Sequence, residues 1–175
     1  MSEEHESEIA PSASERELTL EARVVELEQR LDNMQMLLSD FYRYGKLQQL
    51  LIAGDFKGAD EETVNVLLGV SGQDRDTLTP DMFQKFSCDV LRVIDKLWTT
   101  YSKGRFGFSV QLHIYQTVGG NINTLRAQDN SFLFKFGDRV GWRANGQWQS
   151  ETYDQWDFSL AAPEGCFPAV WWNSP

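Results

Sequence analysis

The sequence predicts a mainly α-helical protein: a heptad helix, then a compact helical domain that ends in an irregular aromatic loop. Three observations carry this reading. Apolar residues recur at heptad spacing from Leu20 to Phe41, helical amphipathicity is sharpest from Val90 to Tyr101, and beyond Gly137 periodicity fades while aromatics persist.

The 175 residues leave room for one domain and an appendage. The formal net charge of −10 is unevenly spread: residues 1–40 hold 11 acids and three bases, against 15 acids and 13 bases in the rest. Acidity belongs to the N-terminal arm. No clustered basic face exists, which excludes a nucleic-acid binder. No run of about 18 apolar residues is present, so no transmembrane helix is expected, while peripheral contact with a membrane stays open. The acidic N-terminus lacks the apolar core of a secretory signal and the arginines of a transit peptide. Cys88 and Cys166 are too few for a disulfide framework and read as reduced thiols.

In chain order, residues 1–17 are rich in Glu and Ser and are expected to form a disordered tail. Over residues 18–44, Leu20, Val24, Leu27, Leu31, Met34, Leu38 and Phe41 alternate spacings of four and three, with Glu21, Arg23, Glu26, Glu28 and Arg30 between them. This seam either pairs with a second copy, giving a homo-oligomer, or lies as one amphipathic helix on the downstream domain. A strict a/d stripe is narrower than a usual globular helix face, which favours self-association. Tyr42 to Gly45 breaks the seam, and the second domain is placed at residues 46–175.

Leu47, Leu50 and Leu51 mark a short helix ending at Ala53–Gly54. Gly58 to Glu62 then puts acids in a first turn, with Val64, Leu67 and Leu68 facing inward and Gly72 as the stop. Asp74 to Thr79 reads as a polar loop, and Thr79–Pro80 opens a short helix carrying Met82, Phe83 and Phe86. Ser87 caps the clearest core helix, with Val90, Leu91, Ile94, Leu97, Trp98 and Tyr101 on one face. The following connection crowds two glycines, two phenylalanines and two cations between Lys103 and Phe108, before a helix from Ser109 to Val118. Residues 121–130 read as a polar loop. Phe132, Phe134 and Phe136 fit either a strand or a helical turn. Asn145–Gly146, between Trp142 and Trp148, signals a hairpin. Trp148, Tyr153, Trp156, Phe158, Phe167, Trp171 and Trp172 follow without period, held by packing or forming a mobile cover.

Neither His5 nor His113 has a neighbour at metal-ligand spacing, and no CxxC, Walker loop, GxSxG or dinucleotide fingerprint occurs. No catalytic or metal-binding residues are assigned, and no enzyme is expected. What remains is cations beside rings: Lys103 and Arg105 with Phe106 and Phe108, and Arg139 and Arg143 with Trp142. Either these rings are core and the glycines turn the chain, or the two regions face each other across an apolar cleft rimmed by cations. Such a cleft suits a flat macrocycle whose carboxylates pair with arginine.

Five ordered blocks carry a family resemblance: Gly54–Val66 (GDFKGADEETVNV), Ile94–Trp98 (IDKLW), Tyr101–Gln111 (YSKGRFGFSVQ), Phe136–Arg143 (FGDRVGWR) and Phe158–Gly165 (FSLAAPEG). Over residues 46–168 the chain resembles the genomes-uncoupled-four family of tetrapyrrole-binding proteins. The resemblance implies a helical domain with a cupped cleft for protoporphyrin IX and Mg-protoporphyrin IX, in some members a bilin, and no obligatory cofactor. It implies the large, porphyrin-binding subunit of magnesium chelatase as partner, stimulated in chlorophyll biosynthesis, and hence a role in photosynthesis. The setting implied is the cytoplasm of a cyanobacterial-type cell or the plastid stroma. The ligand residues implied are Phe83 and Phe86 on one wall, Arg105, Phe106 and Phe108 at the connection, and Trp142, Arg143, Trp148, Tyr153, Trp156 and Phe167 in a mobile aromatic loop. The alternative is a coiled-coil-assembled tetrapyrrole or bilin sensor that does not act on the chelatase. The chain departs from the family pattern at Cys166, where histidine is expected, in the heptad helix that replaces a helical bundle, and in the short segment from there to Pro175.

Overall fold

A computed structural model describes residues 13–71, 86–127 and 129–169. Their helices are α1 (Ala13–Ala53), α2 (Phe56–Ser71), α3 (Cys88–Tyr101), α4 (Phe108–Thr117), α5 (Ile122–Arg126) and α6 (Asn130–Val140). A two-stranded hairpin, β1 (Arg143–Ala144) and β2 (Gln147–Trp148), and a 3-10 helix, Ser150–Gln155, follow. The fold class is mainly α, as the sequence predicts. The chain divides into two compact units, Met1–Tyr42 and Arg43–Pro175.

The first unit is helical from Ala13 onward. Residues 1–12 of the expected disordered tail lie outside the described residues, but residues 13–17 are helix, because Ala, Glu and Arg are strong helix formers. The seam residues from Leu20 to Leu38 are all exposed. Arg30 and Glu26 form an exposed ion pair one turn apart, at 2.7 Å, worth roughly 0.3–0.5 kcal/mol.

The separate short helix expected from Leu47 to Ala53 does not occur, since α1 runs on through Gly45 to Ala53. One glycine in a helix costs about 1 kcal/mol relative to alanine. Burial of Tyr44, Leu47 and Leu51 beside it offsets that cost.

In the second unit α2 starts at Phe56, two residues earlier than the sequence suggests, because the Asp55 carboxylate accepts the Gly58 N–H at 2.9 Å. The shift takes Asp60 and Glu62 out of the first turn and onto the inner face, where both are buried. Glu62 pairs with Lys46 of α1 at 2.6 Å. Ser87 caps α3 as expected, accepting the Asp89 N–H at 3.2 Å, and Val90, Ile94 and Trp98 are its buried residues.

Trp98 is the centre of the core. It stacks with Phe56 (6.1 Å, 25°) and with Phe167 (6.1 Å, 24°), and Phe158 in turn stacks with Phe167 (5.3 Å, 19°). Phe106 meets Phe56 and Phe167 edge-on at 5.3 and 5.2 Å. The indole N–H donates to the Thr63 hydroxyl at 2.9 Å, so the one polar atom of this ring is satisfied.

The polar stretch after α4 is not all loop. Asn121 and Thr124 make a reciprocal capping box that opens α5. Asp129 accepts the Ser131 N–H at 2.9 Å and starts α6, which settles Phe132, Phe134 and Phe136 as helical. Gly141, at φ 80°, ends that helix. The hairpin lies where Asn145–Gly146 places it, with φ of 52° and 79° as a type I′ turn requires. The expected helix from Pro80 through Met82 and Phe83 lies outside the described residues.

Candidate functional site

The connection between α3 and α4 shapes the region. Lys103 (φ 57°) and Gly104 (φ 78°) reverse the chain, and the Ser102 hydroxyl accepts the Phe106 N–H at 2.9 Å. Gly107, at φ 137°, has no side chain with which to cap α4. The Asp95 carboxylate of α3 takes that role instead, accepting the Ser109 N–H at 2.8 Å and the Ser109 hydroxyl at 3.0 Å.

This connection seats residues 162–168. Gly107 N–H donates to Phe167 O at 2.9 Å, and Gly165 N–H donates to Arg105 O at 2.8 Å. The Arg105 guanidinium donates to Ala162 O at 2.7 Å. Buried Gln111 of α4 donates to both Gly165 O and Pro168 O at 3.0 Å. The segment is thus a strap: its backbone is satisfied by the connection and α4, and its Phe167 ring completes the core.

Asp60 anchors the strap from below. Its carboxylate, fully buried, accepts the Tyr153 hydroxyl at 2.7 Å and the Ala169 N–H at 2.6 Å. Burial, then the Asp60 charge, drives the Tyr153 phenol far above its ordinary pKa, so it stays protonated and acts as a donor. Lys57 of α2 pairs with Asp154 at 2.6 Å, a second tie to the 3-10 helix.

A second cluster forms at the hairpin. The Arg143 guanidinium lies 4.2 Å from the Phe134 ring centroid and 5.4 Å from that of Trp148. It also pairs with Asp138 at 3.0 Å and donates to Gly146 O at 2.7 Å. A Cβ at Gly137 would stand 2.5 Å from the Trp148 ring, so this glycine is what lets the indole lie on α6. The Nε atoms of Arg105 and Arg143 are buried with no hydrogen-bond partner.

Between the hairpin, the 3-10 helix and the strap lies a cavity of about 360 Å³, lined by Gly141, Gln149, Thr152, Trp156, Asp157 and Cys166 among others. That volume is toward the small end of the range for small-molecule sites. Burial, with Asp60 and Asp157 nearby, pushes the Cys166 thiol up to about 12, so a neutral thiol lines the cavity.

The sequence-predicted residues divide in three. Phe106, Phe167 and Trp142 are core: each is almost fully buried, and the Trp142 indole N–H donates to Cys166 O at 2.8 Å. Phe86 is also buried, whereas Phe83 lies outside the described residues. Arg105 and Phe108 are half-buried at the connection, with Arg105 engaged by the strap. Arg143 and Trp148 pack on each other, while Tyr153 and Trp156 lie 5.3 Å apart in the 3-10 segment; only Trp156 lines the cavity. Sequence reasoning missed Asp60, Gln111 and Phe134. Asp60 and Gln111 make their contacts far along the chain, and Phe134 lies in a run that fits strand or helix equally well, so the sequence does not say that its ring meets Arg143. His113 is exposed, and among the described residues no group of His, Cys, Asp or Glu could hold a metal ion. No described helix is long and apolar enough to cross a membrane.

A mainly helical domain closed by an aromatic strap and hairpin is the class these features define. Residues 39–175 match the GUN4-like family. The chain is similar to the Ycf53-like protein of Synechocystis (31% identical, 73% of this chain, 51% of the relative). It is also similar to an uncharacterized ycf53 protein of Pyropia yezoensis (35%, 58% and 40%) and to a chloroplastic tetrapyrrole-binding protein of Arabidopsis thaliana (37%, 41% and 28%). The ligand-free GUN4 structure from Arabidopsis thaliana superposes with a TM-score of 0.56 at 27% identity, covering 73% of this chain and 84% of that one. The Chlamydomonas reinhardtii GUN4 structure gives 0.55 at 25% identity, covering 71% and 78%. The chain belongs to the GUN4-like family, and it spans about half or less of the length of these curated relatives.

Proposed function

We propose that residues 43–175 bind a porphyrin, protoporphyrin IX or Mg-protoporphyrin IX, without transforming it, and that the bound domain stimulates magnesium chelatase through its porphyrin-binding large subunit. Family membership over residues 39–175 carries this reading. The relative in Arabidopsis thaliana named as a chloroplastic tetrapyrrole-binding protein supports the ligand class, and that name, with the occurrence of a relative in Synechocystis, supports plastid stroma or cyanobacterial cytoplasm. Local chemistry fits a flat aromatic ligand: Phe134, Trp148 and Trp156 keep part of their ring surface accessible, with Arg143 beside the first two. The rings Phe106, Trp142 and Phe167 belong to the buried core, against which Trp148 and Trp156 pack.

Tryptophan fluorescence tests the binding step. Deuteroporphyrin or its magnesium complex should quench saturably at micromolar or lower ligand, and absence of saturation defeats the proposal. Trp148→Ala should weaken binding roughly tenfold, about 1.4 kcal/mol, as expected for one stacking ring, with far-UV circular dichroism unchanged. The exposed seam of the first unit favours a second reading, a coiled-coil-assembled tetrapyrrole or bilin sensor. Magnesium insertion by reconstituted chelatase subunits separates the two, since binding without stimulation favours the sensor.

A further inference from the structure

The first unit presents an exposed apolar seam flanked by charged positions. Leu20, Leu27 and Met34 occupy d positions, and Val24, Leu31 and Leu38 occupy a positions; all six are between 51% and 61% exposed. The flanking positions are sorted by charge. The g positions before Val24 and Leu31 are arginine, Arg23 and Arg30, and the one before Leu38 is the apolar Leu37, whereas the e positions after the d residues are Glu21, Glu28 and Gln35.

That sorting discriminates between orientations. In a parallel pair each g residue faces the e position of the next heptad on the other chain, so Arg23 faces Glu28 of the partner subunit. The sequence repeats the match one heptad earlier with Arg16 and Glu21. Arg30 would face a neutral glutamine, and it is the arginine that pairs within its own helix, with Glu26 at 2.7 Å. In an antiparallel pair g faces g and e faces e, which sets arginine against arginine and glutamate against glutamate. Val24 at a with Leu20 and Leu27 at d also fits two strands.

We propose that this helix pairs with a second copy of the chain as a parallel, in-register, two-stranded coiled coil. Its occupant is chosen by the charges: one chain supplies both members of each complementary pair, so a second copy satisfies the surface without any other partner. Three heptads are short, so the pairing is reversible and concentration-dependent.

The test uses the full 175-residue chain with Cys88→Ser, adding Leu20→Cys or Met34→Cys, under mild oxidation at tens of micromolar. Parallel in-register pairing brings each d position against its own copy, so both variants should form covalent dimers. An antiparallel pair can do this at one of the two positions at most, so linkage at one or neither overturns the proposal. Equilibrium sedimentation of the unmodified chain should give twice the 20.1 kDa chain mass, and monomer at these concentrations overturns it too. Glu28→Arg should weaken the dimer roughly fivefold or more, and adding Arg23→Glu should restore it. Equal affinity in all three chains defeats the charge-selected orientation.

Discussion

Asp60 shows why a residue's neighbours in sequence say little about its work. It stands in a run with Glu61 and Glu62 and reads as a helix-start acid, yet it accepts hydrogen bonds from residues 93 and 109 positions further on. Asp60→Ala would leave the Tyr153 hydroxyl and the Ala169 N–H without that acceptor, at about 1–3 kcal/mol per orphaned group. A loss of about 3 kcal/mol is expected from the urea midpoint, and a change below 1 kcal/mol would mean that water replaces the carboxylate. Cys166 is a second case. Its folded pKa is raised, from 9.0 to about 12, so the neutral thiol's contribution to stability is complete below pH 9 and is lost as pH rises toward 12. An alkylating reagent at pH 8 should modify exposed Cys88 in the folded chain and reach Cys166 only in denaturant. Rapid labelling of both thiols would contradict the burial.

At the scale of elements, the connection between α3 and α4 is defined by backbone angles as much as by side chains. Gly107 combines φ 137° with a site where a Cβ would lie 2.7 Å from Asp95 Oδ1 and 2.9 Å from Thr99 Cγ2. Gly107→Ala is therefore strained and also displaces the carboxylate that caps α4. A destabilisation of about 1–3 kcal/mol is expected, read from the thermal midpoint. Gly104→Ala offers the comparison, since it is strained but meets nothing within 4 Å; equal effects would show that Asp95 yields freely. Elements with local signals were legible in the sequence: Ser87 and the Val90–Ile94–Trp98 face for α3, and Asn145–Gly146 for the hairpin. Those decided by distant packing were not. The α1 helix passes through Gly45 because Tyr44 and Leu47 are buried there, and Phe132 to Phe136 coil because Asp129 caps them.

For the whole molecule, the helical class and the family were legible because five motif blocks in order constrain far more than any one of them. The site was less so. Ring count alone could not separate the rings that build the core, such as Phe106 and Phe167, from those that keep an accessible face, such as Trp148. Burial depends on which distant segment lies above a ring, and the strap that decides it is held largely through its own backbone atoms, by side chains such as Arg105 and Gln111 that lie more than 50 residues earlier. That strap bears on how the protein is made. The column begun by Phe56 and Trp98 waits for Phe158 and Phe167, rings encoded 60 and 69 residues after the tryptophan. On a translating ribosome the nascent chain would therefore carry an open aromatic face through much of its synthesis, and the column can close only once Phe167 has emerged.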